Sequence, residues 1–172
     1  MSEESMHIRA ATDADVDVIF KVHRNSVLTL CRQEYSSDQL AMWLNGRNPS
    51  IYLDAVKKRA IWVAEDKREQ VIGFVEIDGF EVTKLFVAGG NAFHGAGKKL
   101  LQLAVSQIAV SGAAKVSLEA TLTAVKFYEK YGFRIVGQGV FSRGSNAMNL
   151  EIVKMELDFE GAALPVEKLI EE

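Results

Sequence analysis

Cysteine is nearly missing from this chain. Cys31 stands alone, so neither an internal disulfide nor a cysteine-based metal site can form within one copy. Proline occurs only at Pro49 and Pro165, and no Pro-rich or low-complexity stretch marks a linker, so one domain is the expectation for 172 residues. No apolar run approaches the roughly 20 residues of a membrane span, and the polar start MSEESMH does not read as a signal peptide. Together with the lone cysteine, this points to a cytoplasmic protein without a membrane partner. Histidine is also scarce: His7, His23 and His94 show no metal-ligand spacing, so no metal is expected. Surplus positive charge is absent, since 20 Lys and Arg face 23 Asp and Glu, which argues against a nucleic-acid partner.

What is present is an ordinary globular composition, 48% hydrophobic and 25% charged, on a chain long enough for a sizeable core. Residues 7–10 read as a short strand. Thr12 can cap a helix whose apolar stripe is Val16, Ile19, Phe20, His23, Val27 and Leu30. Ser36 or Ser37 caps a second helix through Leu40, Trp43 and Leu44, and Asn48-Pro49 opens a third piece that runs to about Lys57. The period then changes to that of strands, over 60–65, 71–78 and 80–87, with Asp78-Gly79 as a hairpin signal between the last two. A helix follows the glycine loop and ends near Gly112, then a strand over 115–119, a helix over 121–131, and two long strands over 133–141 and 148–158. An antiparallel meander followed by strand–helix–strand implies a mixed sheet with helices on both faces. Within it the strands at 80–87 and 115–119 should be parallel neighbours.

The most informative stretch is TKLFVAGGNAFHGAGKKLL, residues 83–101. A strand enters a loop holding Gly89, Gly90, Gly95 and Gly97, and the loop enters an amphipathic helix. Backbone N–H groups at such a helix start form an anion site. A P-loop is excluded, because Gly97-Lys98 is followed by Lys99 and Ala92 stands where the first glycine belongs. A dinucleotide loop is excluded by Leu100 at the third glycine position and by the preceding hairpin.

From Leu85 to Leu101 the chain resembles the acyl-CoA-binding motif of the GNAT N-acetyltransferases, with Gly95-Ala96-Gly97 on its G-x-G. Downstream, TLTAVKFYEKYGF at 121–133 is similar to that family's N/S-x-x-A-x-x-F-Y-E-x-x-G-F signature. The segment YSSDQLAMW also resembles a set of small bacterial members. The resemblance spans about residues 8–158. It implies a single GNAT domain over 7–158 with an acidic tail at 159–172, and a central, mostly antiparallel α/β sheet of six to seven strands.

It also implies acetyl-CoA as cosubstrate and an amine as acceptor, attacked in a ternary complex. The cofactor residues carried over are Leu85, Phe86, Val87, Phe93, His94, Gly95, Ala96, Gly97, Lys98, Thr121, Ala124, Phe127 and Tyr128. The sequence departs from the pattern at Ala92, where the family has Gln or Arg, and at Ala88, Gly89 and Gly90. His94 and Lys98 can offset this with charge-assisted contacts to phosphate.

The implied chemistry needs an ammonium of pKa roughly 10.4 to lose its proton. It also needs a donor for the oxyanion and a proton for the departing thiolate. Tyr128 matches the signature tyrosine that meets the sulfur. The oxyanion donor is a main-chain amide at Phe86 or Val87. Glu81, six residues before Val87, is a base or water-positioning candidate on a buried strand, its pKa raised by desolvation. Its plainer role is a solvated hairpin residue. Glu119 is a second base, or attracts a cationic acceptor. His23 is expected to be half-buried and satisfied. The loops at 31–36 and 141–146 should border the acceptor site, a homodimer through the last strands or tail stays open, and a catalytically inactive CoA-binding module is the alternative function.

Overall fold

Apolar–polar alternation from residue 61 onward produces one sheet, and the computed structural model describes it through residues 6–91, 94–141 and 150–159. The strands are β1 (His7–Ala10), β2 (Ile61–Glu65), β3 (Val71–Asp78), β4 (Glu81–Val87), β5 (Lys115–Thr121), β6 (Arg134–Phe141) and β7 (Leu150–Asp158), in the spatial order β1-β2-β3-β4-β5-β7-β6. Every pairing is antiparallel except β4 with β5, the pair linked through a helix. The helices are α1 (Val16–Leu30), α2 (Ser37–Leu44), α3 (Leu53–Lys57), α4 (Ala96–Val110) and α5 (Val125–Lys130). Among the described residues no helix is long and apolar enough to cross a membrane.

Local chemistry sets most boundaries. Ser36 caps α2 by accepting from the Gln39 amide at 3.1 Å, while Gln39 Oε1 accepts from the Ser36 amide at 2.8 Å. Asn48 Oδ1 accepts from the Ser50 amide at 2.9 Å, and Pro49 opens the turn that leads into α3. Gly79, with φ of 61°, makes the β3–β4 turn. Arg9 joins β1 to the start of α1, reaching Asp15 at 2.7 Å and Glu65 at 2.8 Å. That guanidinium holds the Asp15 carboxyl below the ordinary range.

The sheet separates two layers of core. On one face α4 and α5 bury Leu100, Leu101, Val105 and Tyr128 against Val75, Val82, Val116, Leu118 and Met155. On the other, α1, α2 and α3 cover Ile61, Val63, Phe74 and Leu150. Each such aliphatic or aromatic side chain contributes about 1.5–3 kcal/mol. Expected and observed elements agree closely, with revisions at three helix starts: Asp13–Asp15 and Pro49–Tyr52 are 3₁₀ turns ahead of α1 and α3, and residues 121–131 are not a single helix. β5 continues to Thr121, a 3₁₀ turn covers Leu122–Ala124, and only Val125–Lys130 is α-helical.

Candidate acyl-transfer cleft

The parallel pair β4–β5 holds only two rungs, Glu81 with Ser117 and Val82 with Leu118. Beyond them the strands part, and a cleft opens towards the C-terminal ends of both. Strand alternation decides which amides face it. The Ala88 N–H donates to Ile72 O at 2.9 Å, and Phe86 is registered on Phe74, so the N–H groups of residues 86 and 88 point to β3. Those of Leu85 and Val87 point the other way, into the cleft. Of the two amides expected to serve an oxyanion, the register therefore directs Val87, and not Phe86, to the cleft.

At the mouth of the cleft, Gly95 occupies the N-cap of α4 in the left-handed region, φ 90° and ψ −4°. It turns the chain into a 15-residue helix that begins Ala96-Gly97-Lys98. Gly97 lies beside both walls: a Cβ there would sit 3.4 Å from Phe127 Cζ and 3.7 Å from Val87 Cγ2. The two sequence motifs thus meet at one point. Tyr128 follows on α5, buried at 6% exposure between the rings of Phe127 and Phe133, and burial pushes its phenol pKa well up. Thr121 caps the 3₁₀ turn on the β5 side, and Ala124 closes it at the start of α5. His94 is exposed just before Gly95. Ala92, Phe93, the loop at 142–146 and the tail from 160 lie outside the described residues.

The carboxylates lie deeper along the sheet. Glu81 is the first residue of β4, next to the Gly79 turn as its plainer reading had it, but half-buried and not fully solvated. A register shift between Glu76 and Ile77 accompanies this hairpin end. Glu119, exposed on β5, is two residues past the Ser117 partner of Glu81 and closer to the opening. Desolvation, then the negative charges of Glu119 and Asp78, raise the Glu81 pKa, and Lys84 opposes them. The two glutamates thus form an interacting pair on the sheet face opposite α4.

His23 differs from its expectation. It is buried at 2% exposure, stacked on Phe86 at 4.2 Å between ring centroids and ringed edgewise by Trp43, Tyr52 and Phe74. Its Nδ1 is hydrogen-bonded to the Tyr52 hydroxyl, while Nε2 is buried and has no partner among the described residues. Fewest groups are stranded when Tyr52 donates to Nδ1, which leaves the ring hydrogen on Nε2. Burial first, then the charges of Arg47 and Lys84, push its pKa down to about 3.

Two polar contacts escaped sequence analysis. Tyr35 Oη accepts from the Leu122 amide at 3.0 Å and donates to Glu151 O at 2.6 Å, joining the end of β5 to β7. Tyr35 thus ties the turn after α1 to the exit of β5. Asn25 Oδ1 accepts from the Gly89 amide at 2.7 Å. An exposed helical asparagine carries no sequence signal for a partner 64 residues away.

Comparison with known proteins agrees with this geometry. The acetyltransferase (GNAT) domain family matches residues 31–157. The chain belongs to that family, which makes it an acyltransferase by class. It is 25% identical over 134 residues to the uncharacterised N-acetyltransferase YafP of Escherichia coli K12, covering 78% of this chain and 85% of that protein. Among solved structures, a GCN5-related N-acetyltransferase from Rhodopseudomonas palustris superposes with a TM-score of 0.77 at 20% identity, over 92% of this chain and 98% of its own. The PaiA N-acetyltransferase of Thermoplasma acidophilum, solved in complex with coenzyme A, gives 0.73 at 19%, over 90% and 99%. The family match begins at Cys31, while the superposition on the Rhodopseudomonas palustris structure takes in 92% of the chain.

Proposed function

We propose that this protein moves the acetyl group of acetyl-CoA onto a primary amine of a small molecule or peptide. The observation that carries the reading is the meeting of Val87 on β4 and Phe127 on α5 with Gly97 of the α4 helix start, where β4 and β5 part, and Tyr128 is the residue next to Phe127 in the signature. The coenzyme A bound to the PaiA relative supports the same ligand here. The helix start and loop amides hold the pyrophosphate, with Lys98 adding positive charge and His94 a polar contact. Leu85 and Phe127 are apolar walls, and Thr121 and Ala124 border the channel from the β5 side.

The amine nitrogen forms a bond to the thioester carbon, and the carbon–sulfur bond breaks. Val87 N–H donates to the oxygen as negative charge develops on it. Tyr128, whose raised pKa keeps its hydroxyl protonated at neutral pH, gives that proton to the departing sulfur. Glu119, or Glu81 through water, takes the proton lost by the amine, and return of a proton to Tyr128 closes the cycle. The products are an amide and a free thiol.

Ala92, in place of the family's Gln or Arg, favours a second reading: a CoA-binding module without catalysis. Thiol release measured across an amine panel, with acetyl-CoA and longer acyl-CoAs as donors, separates the two. Turnover on any amine supports the enzyme. Saturable CoA binding with no turnover on the whole panel supports the module.

A further inference from the structure

With only two rungs between β4 and β5, no ladder sets the separation of their outer ends. Something else must fix the width of the cleft, and α1 with its following turn touches both lips. On the β4 side, Asn25 Oδ1 holds the Gly89 amide at 2.7 Å. The approach is close enough that a Cβ on Gly89 would lie 2.1 Å from Thr29 Oγ1 and 2.8 Å from Thr29 Cβ. The Thr29 hydroxyl in turn donates to Asn25 O at 2.7 Å, tying both residues to one helical turn. This explains a departure noted in the sequence: glycine at 89 is what the docking on α1 requires.

On the β5 side, Tyr35 is 5% exposed and its hydroxyl joins the Leu122 amide to Glu151 O. The turn that presents it is closed by the Tyr35 amide on Cys31 O at 3.1 Å, directly after α1. Asn25 and Cys31 are six residues apart, about 9 Å along a helix. His23, two residues before Asn25 on the same helix, stacks on Phe86 near the end of β4. α1 with its following turn therefore meets the end of β4, the β4 exit at Gly89 and the β5 exit at Leu122.

We propose that α1 is a strut that sets the width of the cleft, with Asn25 and Tyr35 as positioning residues, one for each lip. Neither touches the reacting atoms. Asn25 acts through Gly89 on the loop leading to α4, and Tyr35 acts through Leu122 on the turn leading to α5. The effect on coenzyme A rests on the function proposed above, whereas the hold on Gly89 does not.

The test therefore has two readouts on the full chain: amide hydrogen exchange at Gly89 without ligand, and coenzyme A affinity by calorimetry. Asn25→Ala should speed Gly89 exchange at least about tenfold while β7 amides keep their rates, and raise the coenzyme A Kd about five- to tenfold, the equivalent of one lost hydrogen bond. Tyr35→Phe should raise the Kd in the same direction. Gly89→Ala should weaken coenzyme A through its clash with Thr29, and Thr29→Gly in that background should restore affinity to within about threefold. This cycle tests the same contact if Asn25→Ala folds poorly. Unchanged Gly89 exchange in Asn25→Ala overturns the contact. Faster exchange with a Kd within twofold of the parent overturns the strut, as does a Gly89→Ala protein that binds normally. If the parent protein itself does not bind coenzyme A, the proposed function fails, and Gly89 exchange still decides whether Asn25 holds the loop.

Discussion

Tyr128 and His23 are both buried, aromatic and titratable, yet burial serves opposite ends in them. For Tyr128, loss of water favours the neutral phenol, so the proton needed by a departing thiolate is retained at neutral pH. Tyr128→Phe keeps the ring contacts with Phe127 and Phe133 and removes only the proton. It should lower turnover about ten- to a hundredfold with the coenzyme A Kd nearly unchanged, read from thiol release and calorimetry. For His23, burial keeps the imidazole neutral and makes protonation a force for unfolding. Its pKa is about 3 when folded, against roughly 6.5 when unfolded. Its contribution to stability is therefore complete above about pH 6.5 and is lost as pH falls towards 3, at up to about 1.4 kcal/mol per pH unit. Asp15, whose folded pKa is depressed, loses its contribution lower still, as pH drops below the ordinary carboxylate range. Urea unfolding between pH 6.5 and 4.5 should thus show a slope that flattens in His23→Gln, which keeps a hydrogen-bonding partner for Tyr52 but does not titrate. An equal slope in both proteins would remove His23 as the source. Tyr128 was legible because its signature is local. The burial of His23 was underestimated because its cage comes from four separate elements, and a helical stripe shows only that the residue faces inward.

At the scale of elements, two glycines two positions apart make different demands. Gly95 is in the left-handed region at the N-cap of α4, where a Cβ meets the following carbonyl oxygen. Gly95→Ala should cost about 1–2 kcal/mol in unfolding free energy. Gly97 is inside the first turn of α4, where an added Cβ would make ordinary contacts with Phe127 and Val87. Gly97→Ala should therefore leave stability within about 0.5 kcal/mol or raise it through helix propensity. It should still weaken coenzyme A several-fold, because the methyl group fills the approach that the ligand needs. A Gly97→Ala protein that binds coenzyme A at the parent's affinity would argue against this helix start as the ligand's seat. The strands, the Asp78-Gly79 hairpin and the parallel β4–β5 relation were legible from period, turn chemistry and the helical crossover. The early end of β4–β5 pairing was not. It is set by the hairpin register shift and by α1 holding the far end of β4, and neither leaves a mark within a sequence window. The half-burial of Glu81 likewise depends on where the pairing starts and not on residue type.

For the whole molecule, ligand binding and folding are linked, and the linkage separates binding from chemistry. A ligand that binds only the folded chain stabilises it by RT ln(1 + [L]/Kd), about 2.7 kcal/mol at a hundredfold excess over Kd. For a domain of this size each kcal/mol raises the melting temperature by roughly 2–4 °C, so coenzyme A at that excess should raise it by about 5–10 °C. The helix start, the inward face of β4 and the α5 wall are all held by the core beneath α4, so the gain should reach the whole cooperative unit. If its phenol serves proton transfer and not the seating of the ligand, as proposed, Tyr128→Phe should show the same shift as the parent. Gly97→Ala should show a smaller shift at the same concentration, in proportion to its weaker Kd. Scanning calorimetry of the three proteins, with and without coenzyme A, thus gives a pattern that no single activity assay can give. An equal shift in parent and Tyr128→Phe, with thiol release only in the parent, would assign Tyr128 to the chemistry. Equal shifts with release in neither, on a broad amine panel, would favour the binding module. No shift in the parent at saturating coenzyme A would refute both readings at once, since each needs the cleft between β4 and β5 to hold that ligand.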